Sequence, residues 1–354
     1  MRDDRDDGAP PRPPAEPRPP SMADVAARAG VSHQTVSRVV NAHPSVLPGT
    51  RERVLAAIDA LGYRRNSAAR ALVTRRSGVL GAITVGGTDY GPTSTLLELE
   101  DAARAAGYVV TVATLRRGDE ASIGHALDRL LDVGVEAVVV VAPTVGVAAV
   151  LEHVRASVPV LLVSSWVAGL QGGPRPVGVH AVAVGQQEGA RLATEHLLAA
   201  GHREVVHLAG PQDWFDAQDR VAGWREACAV AGVRTRAPIT SGWDAADGYA
   251  AGRRLLDEGV PSAVFAANDQ LALGLLRALA EAGVRVPEDV AVVGFDDEPG
   301  AAFYSPPLTT VRQDFAALGR AALETLTAAL AGGDPADVVL TPQLVVRASS
   351  HRPS

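Results

Sequence analysis

The sequence predicts two folds in one chain: an all-α helix-turn-helix segment near the N-terminus, and an α/β body of two doubly wound parallel sheets. Charge separates the two parts. Residues 22–76 carry nine arginines and three acidic residues, a net charge of +6, whereas the whole chain has a net charge of −7. Beyond residue 78, short apolar runs alternate with stretches of helical length, which is typical of parallel sheets covered by helices on both faces. A chain of 354 residues is also long enough for more than one domain.

The composition excludes several classes of protein. Hydrophobic residues make up 47% of the chain and charged residues 21%, as in soluble globular proteins. No apolar run reaches the roughly 18 residues that span a bilayer, and the N-terminus lacks the apolar segment of a signal peptide. We therefore expect a cytoplasmic protein without a membrane partner. The single cysteine, Cys228, excludes an internal disulfide and a cysteine-based metal cluster, and we expect no cofactor.

Four segments follow one another along the chain. Residues 1–21 are proline-rich and charged, with almost no apolar side chain to bury, so we expect a disordered extension. Residues 22–64 fit a helix-turn-helix domain, residues 65–77 a basic, alanine-rich linker, and residues 78–354 the α/β body. Within the body, the pattern favours a first lobe of about 78–177 plus 311–337 and a second lobe of about 178–310 plus 338–351.

The helix-turn-helix prediction depends on helix-end signals. A first helix is expected over 23–29, where Gly30 can adopt the left-handed conformation that ends helices. Ser32 is suited to cap a second helix, whose polar side faces away from its valines. A third helix over 50–63 is expected to close the small core with Val54, Leu55, Ile58 and Leu61.

The body is predicted from its apolar runs. Strands are expected at 79–85, 108–114, 136–142, 158–164, 181–184, 204–210, 261–268 and 289–297. The Pro/Gly-rich stretch 169–178 is the predicted crossing between lobes. In such sheets, ligands bind at the carboxyl ends of the strands. No glycine-rich phosphate loop follows a strand, so a nucleotide site is not favoured.

Long segments resemble one known family. They are TVSRVVN (35–41), LLAAGHREVVHLAGP (197–211), AANDQLALG (266–274), EDVAVVGFDD (288–297) and SPPLTTVRQDF (305–315). In this order they resemble the lactose/galactose repressor family of bacterial transcription regulators. The resemblance implies a periplasmic-binding-protein-like body that binds a small effector, most simply a sugar. It also implies a homodimer bound to an inverted-repeat DNA operator, with no enzymatic activity.

The resemblance assigns roles in DNA binding by position. Residues that would contact base edges are His33, Gln34 and Arg38. Residues that would contact phosphates are Ser32, Thr35, Ser37 and Asn41. The linker would become a hinge helix on the operator. Asn66 would begin that helix, Ala69 would face its symmetry mate, and Leu72 would insert between base pairs from the minor groove.

The resemblance and the strand ends together give the effector-binding candidates. They are Asp89, Tyr90, Ser164, Arg191, Trp224, Trp243, Asp244 and Asp269. Arg191 suits paired ligand oxygens because its guanidinium is a planar fork, although a surface arginine would look the same in sequence. Trp224 is equally compatible with core packing, and Asp269 with a simple charge at a helix N-terminus.

Two other functions fit parts of the pattern. A periplasmic binding protein shares the two-lobed body, but it needs a signal peptide and has no use for a basic helix-turn-helix. An enzyme acting on sugars needs a nucleophile with a base, or metal-ligand spacing, and neither stands out. The adjacent acids of GFDD (294–297) are a weak metal signal, and the resemblance implies a structural role for them.

Overall fold

The computed structural model describes residues 18, 20–41, 43–64, 76–85, 89–116, 119–141, 144–146, 157–165 and 177–350. Most of the N-terminal extension and the hinge residues Asn66, Ala69 and Leu72 lie outside this part of the chain. Contacts divide the chain into two units, Met1–Arg75 and Arg76–Ser354, which we call the head and the body.

The head contains three helices: α1 (Met22–Ala29), α2 (His33–Val40) and α3 (Pro48–Leu61). Ser21 and Asp24 form a capping box at the start of α1, and Gly30 ends the helix at φ 65°. Ser32 caps α2 by accepting a hydrogen bond of 3.1 Å from the backbone N–H of Thr35. Both helix-end predictions agree with the structure.

The head buries one small core. It contains Val25, Ala26, Ala29, Val36, Val39, Val54, Ala57 and Tyr63. Leu55 was expected in this core, but half of its surface is exposed. Ala57 is buried instead, because it lies on the same face of α3 as Val54, three residues apart.

The body alternates strands and helices. Its first half contains β1 (Val79–Val85), α4 (Tyr90–Ala105), β2 (Val109–Leu115), α5 (Glu120–Val133), β3 (Ala137–Val141), β4 (Val160–Val163), β5 (Val179–Val184) and α6 (Gln186–Ala199). Then follow β6 (Val206–Ala209), α7 (Phe215–Val230), β7 (Ile239–Thr240), α8 (Ala245–Glu258), β8 (Ala263–Ala266), α9 (Asp269–Glu281) and β9 (Ala291–Asp296). The last elements are a 3-10 turn (Ala301–Phe303), β10 (Thr309–Arg312), α10 (Phe315–Leu330), β11 (Val338–Leu340) and β12 (Gln343–Val345).

These strands form two six-stranded sheets. The first has the order β11-β5-β4-β3-β1-β2, and the second has the order β12-β10-β9-β8-β6-β7. All neighbours pair in parallel except β12, which runs antiparallel to β10. Apolar side chains of α5 cover one face of the first sheet, and those of α4 and α10 cover the other. In the second sheet, α8 and α9 lie on one face and α6 and α7 on the other. The predicted fold class is confirmed.

The lobe boundaries in the structure differ from those predicted. Strand β5, at residues 179–184, pairs with β4 and belongs to the first sheet, so the chain crosses between lobes at Gly185 and not within 169–178. Strand β10 belongs to the second sheet, whereas β11 returns to the first. An apolar run pairs equally well in either sheet, and only contacts distant in sequence decide which one it joins.

No helix in the described part of the chain is long and apolar enough to cross a membrane.

Candidate functional site

A cavity lies between the two lobes of the body, at the carboxyl ends of both sheets. The cavity encloses about 70 Å³ and is partly open to solvent. The first lobe supplies residues that follow β1 and β4, among them Asp89, Tyr90 and Ser164. The second lobe supplies Arg220 and Trp243, together with Trp214, Asp216, Asn268 and Asp296. Ligands of doubly wound parallel sheets usually bind at this position.

Four buried polar side chains form a ring in the wall of this cavity. The Nε of Arg220 donates to Oε1 of Gln186 at 2.9 Å, and Gln186 donates to Gln313 at 3.0 Å. Gln313 donates to Oδ1 of Asp296 at 2.6 Å, and a guanidinium nitrogen of Arg220 lies 3.6 Å from the same oxygen. Arg220 also donates to the carbonyl of Ala267. A buried charge pair needs such hydrogen bonds to offset desolvation, so the ring holds the guanidinium in one orientation.

Gln186 and Gln313 place this ring beside two chain crossings. Gln186 begins α6 directly after the crossing at Gly185, and Gln313 follows β10 where the chain returns to the first lobe. Arg220 and Asp296 belong to the second lobe. A ligand that binds Arg220 therefore contacts a hydrogen-bonded network whose side chains lie next to the connections between the lobes.

Asp296 has an unusual backbone conformation and charge environment. Its φ is 108°, in the region that side chains other than glycine rarely adopt, and such strain clusters at functional sites. Burial raises the pKa of Asp296 to about 7, although the guanidinium of Arg220 and the hydrogen bond from Gln313 oppose the rise. The carboxyl group thus exchanges a proton near neutral pH in the folded protein.

The raised pKa of Asp296 predicts a pH dependence of stability. Because the pKa is higher in the folded state than in the unfolded chain, folding takes up a proton between about pH 4 and pH 7. The resulting stabilisation is fully present below about pH 4 and is lost as the pH rises through 7, by at most about 1.4 kcal/mol per pH unit. Urea unfolding of the wild type and of Asp296→Asn, followed across this range, measures it. We expect the wild type to lose stability relative to the variant, and parallel curves would contradict the assignment.

Aromatic rings line both sides of the cavity. Tyr90 packs edge to face against Phe315 at a centroid distance of 5.7 Å, and Trp214 packs likewise against Trp243 at 5.6 Å. The Cζ of Arg220 lies 5.6 Å from the Trp243 ring centre. The indole N–H of Trp243 is buried and has no hydrogen-bond partner among the described residues. Aromatic walls with a few fixed polar groups suit a ring-shaped ligand with hydroxyls.

The structure brings four of the eight effector-binding candidates to this cavity: Asp89, Tyr90, Ser164 and Trp243. Asp244 lies in an adjoining chamber, where its Oδ1 caps α8 by accepting from the backbone N–H of Asp247 at 2.9 Å.

Arg191, Trp224 and Asp269 do not line this cavity. Arg191 lines a neighbouring pocket together with Ser165, Gln186 and Asp219, and it pairs with Glu195 at 2.7 Å, with about a third of its side chain exposed. Trp224 is fully buried in the core and donates from Nε1 to the carbonyl of Val205 at 3.0 Å.

Asp269 is fully buried and serves the packing of the second lobe. Its carboxylate accepts from the backbone N–H of Glu298 at 2.8 Å and from the hydroxyl of Thr310 at 2.6 Å. Burial raises its pKa well above the usual range. These contacts place Asp269 behind the cavity wall.

Sequence reasoning missed Arg220, Asn268, Asp296, Gln313 and Trp214. Asp296 carried a usable signal, because it ends a strand in GFDD at the sheet edge where ligands bind. The family resemblance implies a structural role for that stretch. Its second acid fits the interpretation, since Asp297 pairs with Arg312 and Arg347, each at 2.6 Å.

The head presents a polar face on α2. His33, Gln34 and Arg38 are exposed there, as is Ser32, whose hydroxyl is already engaged in the helix cap. Thr35 and Ser37 are half-buried, and Asn41 donates from Nδ2 to the hydroxyl of Ser37 at 3.4 Å. Exposed side chains on successive turns of a second helix are what a major groove accepts.

Comparisons with known proteins find matches for both the head and the body. Residues 21–66 match the bacterial regulatory proteins of the lacI family, and residues 194–350 match the periplasmic binding protein-like domain. The chain is 33% identical to the lactose operon repressor of Escherichia coli K12 over 319 residues, covering 87% of this chain and 84% of that protein. It is 36% identical to the HTH-type transcriptional regulator CelR of Thermobifida fusca over 351 residues, covering 94% and 98%.

Solved structures give the same result. The crystal structure of the lac repressor dimer bound to operator and the anti-inducer ONPF superposes with a TM-score of 0.83 at 33% identity, covering 94% of this chain and 99% of that one. The complex of the transcriptional regulator CelR with cellobiose has a TM-score of 0.68 at 32% identity, covering 93% and 99%. The fold and the cavity define a helix-turn-helix regulator with a periplasmic-binding-protein-like body. The chain belongs to the lacI family of bacterial regulatory proteins.

Proposed function

We propose that this protein is a sequence-specific repressor whose affinity for operator DNA is controlled by a sugar-like effector bound between the lobes. The observation that carries the proposal is the cavity with its ring of Arg220, Gln186, Gln313 and Asp296. A planar guanidinium beside a carboxylate suits neighbouring hydroxyls, and tryptophan rings suit the apolar face of a pyranose. The similarity to a lactose operon repressor and to a regulator solved with cellobiose supports a sugar of the same general class.

DNA binding is assigned to the head. His33, Gln34 and Arg38 contact base edges in this proposal, and Ser32, Thr35, Ser37 and Asn41 contact phosphates. Two heads of a homodimer occupy an inverted repeat, because a twofold dimer presents two equivalent recognition helices. The hinge roles of Asn66, Ala69 and Leu72 rest on the family resemblance. A regulator of this kind acts in the cytoplasm, and we expect no turnover of the effector.

The central experiment selects an operator from random duplex DNA and then measures binding with and without candidate sugars. We expect an inverted repeat and a change in operator affinity with one sugar class. Recovery of a single asymmetric half-site would contradict the dimeric assignment. A sugar that is consumed without any change in DNA binding would favour an enzyme.

Arg38→Ala is expected to reduce discrimination for the selected operator by about 1–3 kcal/mol, roughly 5- to 150-fold, because bidentate pairing with guanine is lost. Arg254→Ala is the matched control. It removes an exposed arginine of the body, which pairs with Glu258. Both variants are compared with the parent on specific and random duplexes at one stated salt concentration. Equal losses on the two duplexes would show that Arg38 contacts only phosphates.

A further inference from the structure

A second chamber adjoins the effector cavity on the side of α8 and α9. Asp89, Tyr90, Trp243 and Asn268 line both spaces, so the chamber is an extension of the cleft. Its remaining lining residues are Thr93, Asp244, Gln270 and Glu298. A ligand held at Arg220 and Asp296 can therefore extend into this chamber.

Glu298 is the unusual residue of the chamber. Its side chain is 93% buried, and its Oε2 accepts a hydrogen bond of 2.6 Å from Nε2 of Gln270. The other oxygen, Oε1, has no hydrogen-bond partner among the described residues and is shielded from solvent. A buried carboxylate oxygen without a donor is costly, and structures normally supply one. The missing donor is the observation that points to a ligand.

The charge of the chamber indicates which kind of donor is missing. Among its lining residues, Asp89, Asp244 and Glu298 are acidic and none is basic. Arg220, the basic residue of the neighbouring cavity, is already paired with Asp296. Burial raises the pKa of Asp89, and the nearby charge of Asp244 raises it further. A cation would relieve this like-charge repulsion, whereas a neutral hydroxyl would not.

Aromatic rings reinforce the preference for a cation. Tyr90 and Trp243 line the chamber together with the carboxylates. The faces of such rings attract ammonium groups, most strongly where water is excluded. Carboxylates and aromatic rings in one recess are a combination suited to an alkylammonium group.

We propose that the effector is an amino sugar or its oligosaccharide, whose ammonium group is bound in this chamber by Glu298 and Asp89. The inference rests on the proposed function, because it concerns the same cleft. The sugar ring lies in the main cavity against Arg220 and Asp296, and the ammonium group donates to the carboxylates of the chamber. It thereby supplies both the proton donor and the positive charge that the chamber lacks.

The test uses matched pairs of sugars that differ only in an amino group. Calorimetry measures the binding of D-glucosamine against D-glucose, and of the β-1,4-linked glucosamine disaccharide against cellobiose. We expect at least one amino sugar to bind about tenfold or more tightly than its neutral partner, since a charge-assisted hydrogen bond is worth about that much.

Variants test whether the higher affinity for amino sugars arises in the chamber. In Glu298→Gln and in Asp89→Asn, the ratio of amino-sugar to neutral-sugar affinity should fall towards one. Asp257→Asn, which removes an exposed carboxylate of α8 outside the cleft, should leave the ratio unchanged. Operator binding by every variant confirms that it is folded.

The outcomes separate this inference from the proposed function. Neutral sugars that bind as tightly as their amino partners would contradict the proposed ammonium site. They would not contradict the proposed function of a repressor controlled by a sugar. A preference that survives in Glu298→Gln and Asp89→Asn would also overturn it. If no sugar of either series binds or alters operator affinity, both proposals fail together.

Discussion

Replacing Arg220 by alanine should abolish the response to effector while leaving operator binding intact. Arg220 is buried in the wall of the cavity, where Gln186 and Asp296 hold its guanidinium in place. Losing a charged hydrogen-bond donor to a ligand costs about 1.5–3 kcal/mol, so effector affinity should fall by at least tenfold to a hundredfold. In so far as the contact is stronger in one arrangement of the lobes than in the other, its loss reduces the effector's influence on DNA binding by that difference.

Arg254→Ala is the matched control for this prediction. Arg254 is also an arginine on a helix of the second lobe, but it is exposed on α8 and pairs with Glu258 at 2.6 Å. Operator affinity is measured with increasing effector for the parent, for both alanine variants and for Arg220→Lys. We expect Arg254→Ala to respond normally and Arg220→Lys to respond weakly, because lysine keeps the charge but not the planar fork. A normal response in Arg220→Ala, or its loss in Arg254→Ala, would contradict the assignment.

The second large effect is expected where α8 crosses α9. A Cβ on Gly274 would lie 1.9 Å from the carbonyl oxygen of Ala245 and 2.4 Å from the backbone nitrogen of Tyr249. Both obstacles are backbone atoms, so the helices would have to move apart. We expect Gly274→Ala to lower the free energy of unfolding by about 3 kcal/mol or more, a large effect for overpacking.

Gly124→Ala is expected to change the free energy of unfolding in the opposite direction. Gly124 lies inside α5, and a Cβ there would meet nothing within 4 Å. Alanine has a higher helix propensity than glycine, so this variant should gain up to about 1 kcal/mol. Urea unfolding followed by circular dichroism compares the two variants with the parent. Two stabilised variants would show that the contact between α8 and α9 adapts easily to an added methyl group.

Local signals in the sequence were enough to predict most of the helices and strands. Gly30 and Ser32 mark the ends of their helices because each residue acts within one turn of its own position. The apolar runs located the predicted strands for a similar reason, since burial on both faces requires a continuous apolar segment. Strands β7, β10, β11 and β12 contain two to four residues each and lie outside the long apolar runs, so they were not predicted.

The candidate site was predicted only in part, because side-chain direction depends on how helices dock. Arg191 and Arg220 both lie on helices of the second lobe, one near the start of α6 and the other in α7. Sequence periodicity does not distinguish them. The docking of α7 directs Arg220 to Asp296 in the cavity wall, while Arg191 pairs with Glu195 of its own helix beside a neighbouring pocket. The same reasoning applies to Trp224, whose indole is directed into the core and not into the cavity.

The return of the chain to the first lobe has a consequence for synthesis on the ribosome. Helix α10 covers one face of the first sheet with Phe315, Leu318, Ala322 and Leu326, and β11 pairs with β5 at its edge. These elements are translated after the whole of the parallel part of the second sheet. A nascent chain released from the exit tunnel up to residue 310 therefore exposes the apolar face that α10 will later cover. Such a surface is prone to aggregation and chaperone binding until the remaining residues 311–354, about an eighth of the chain, emerge.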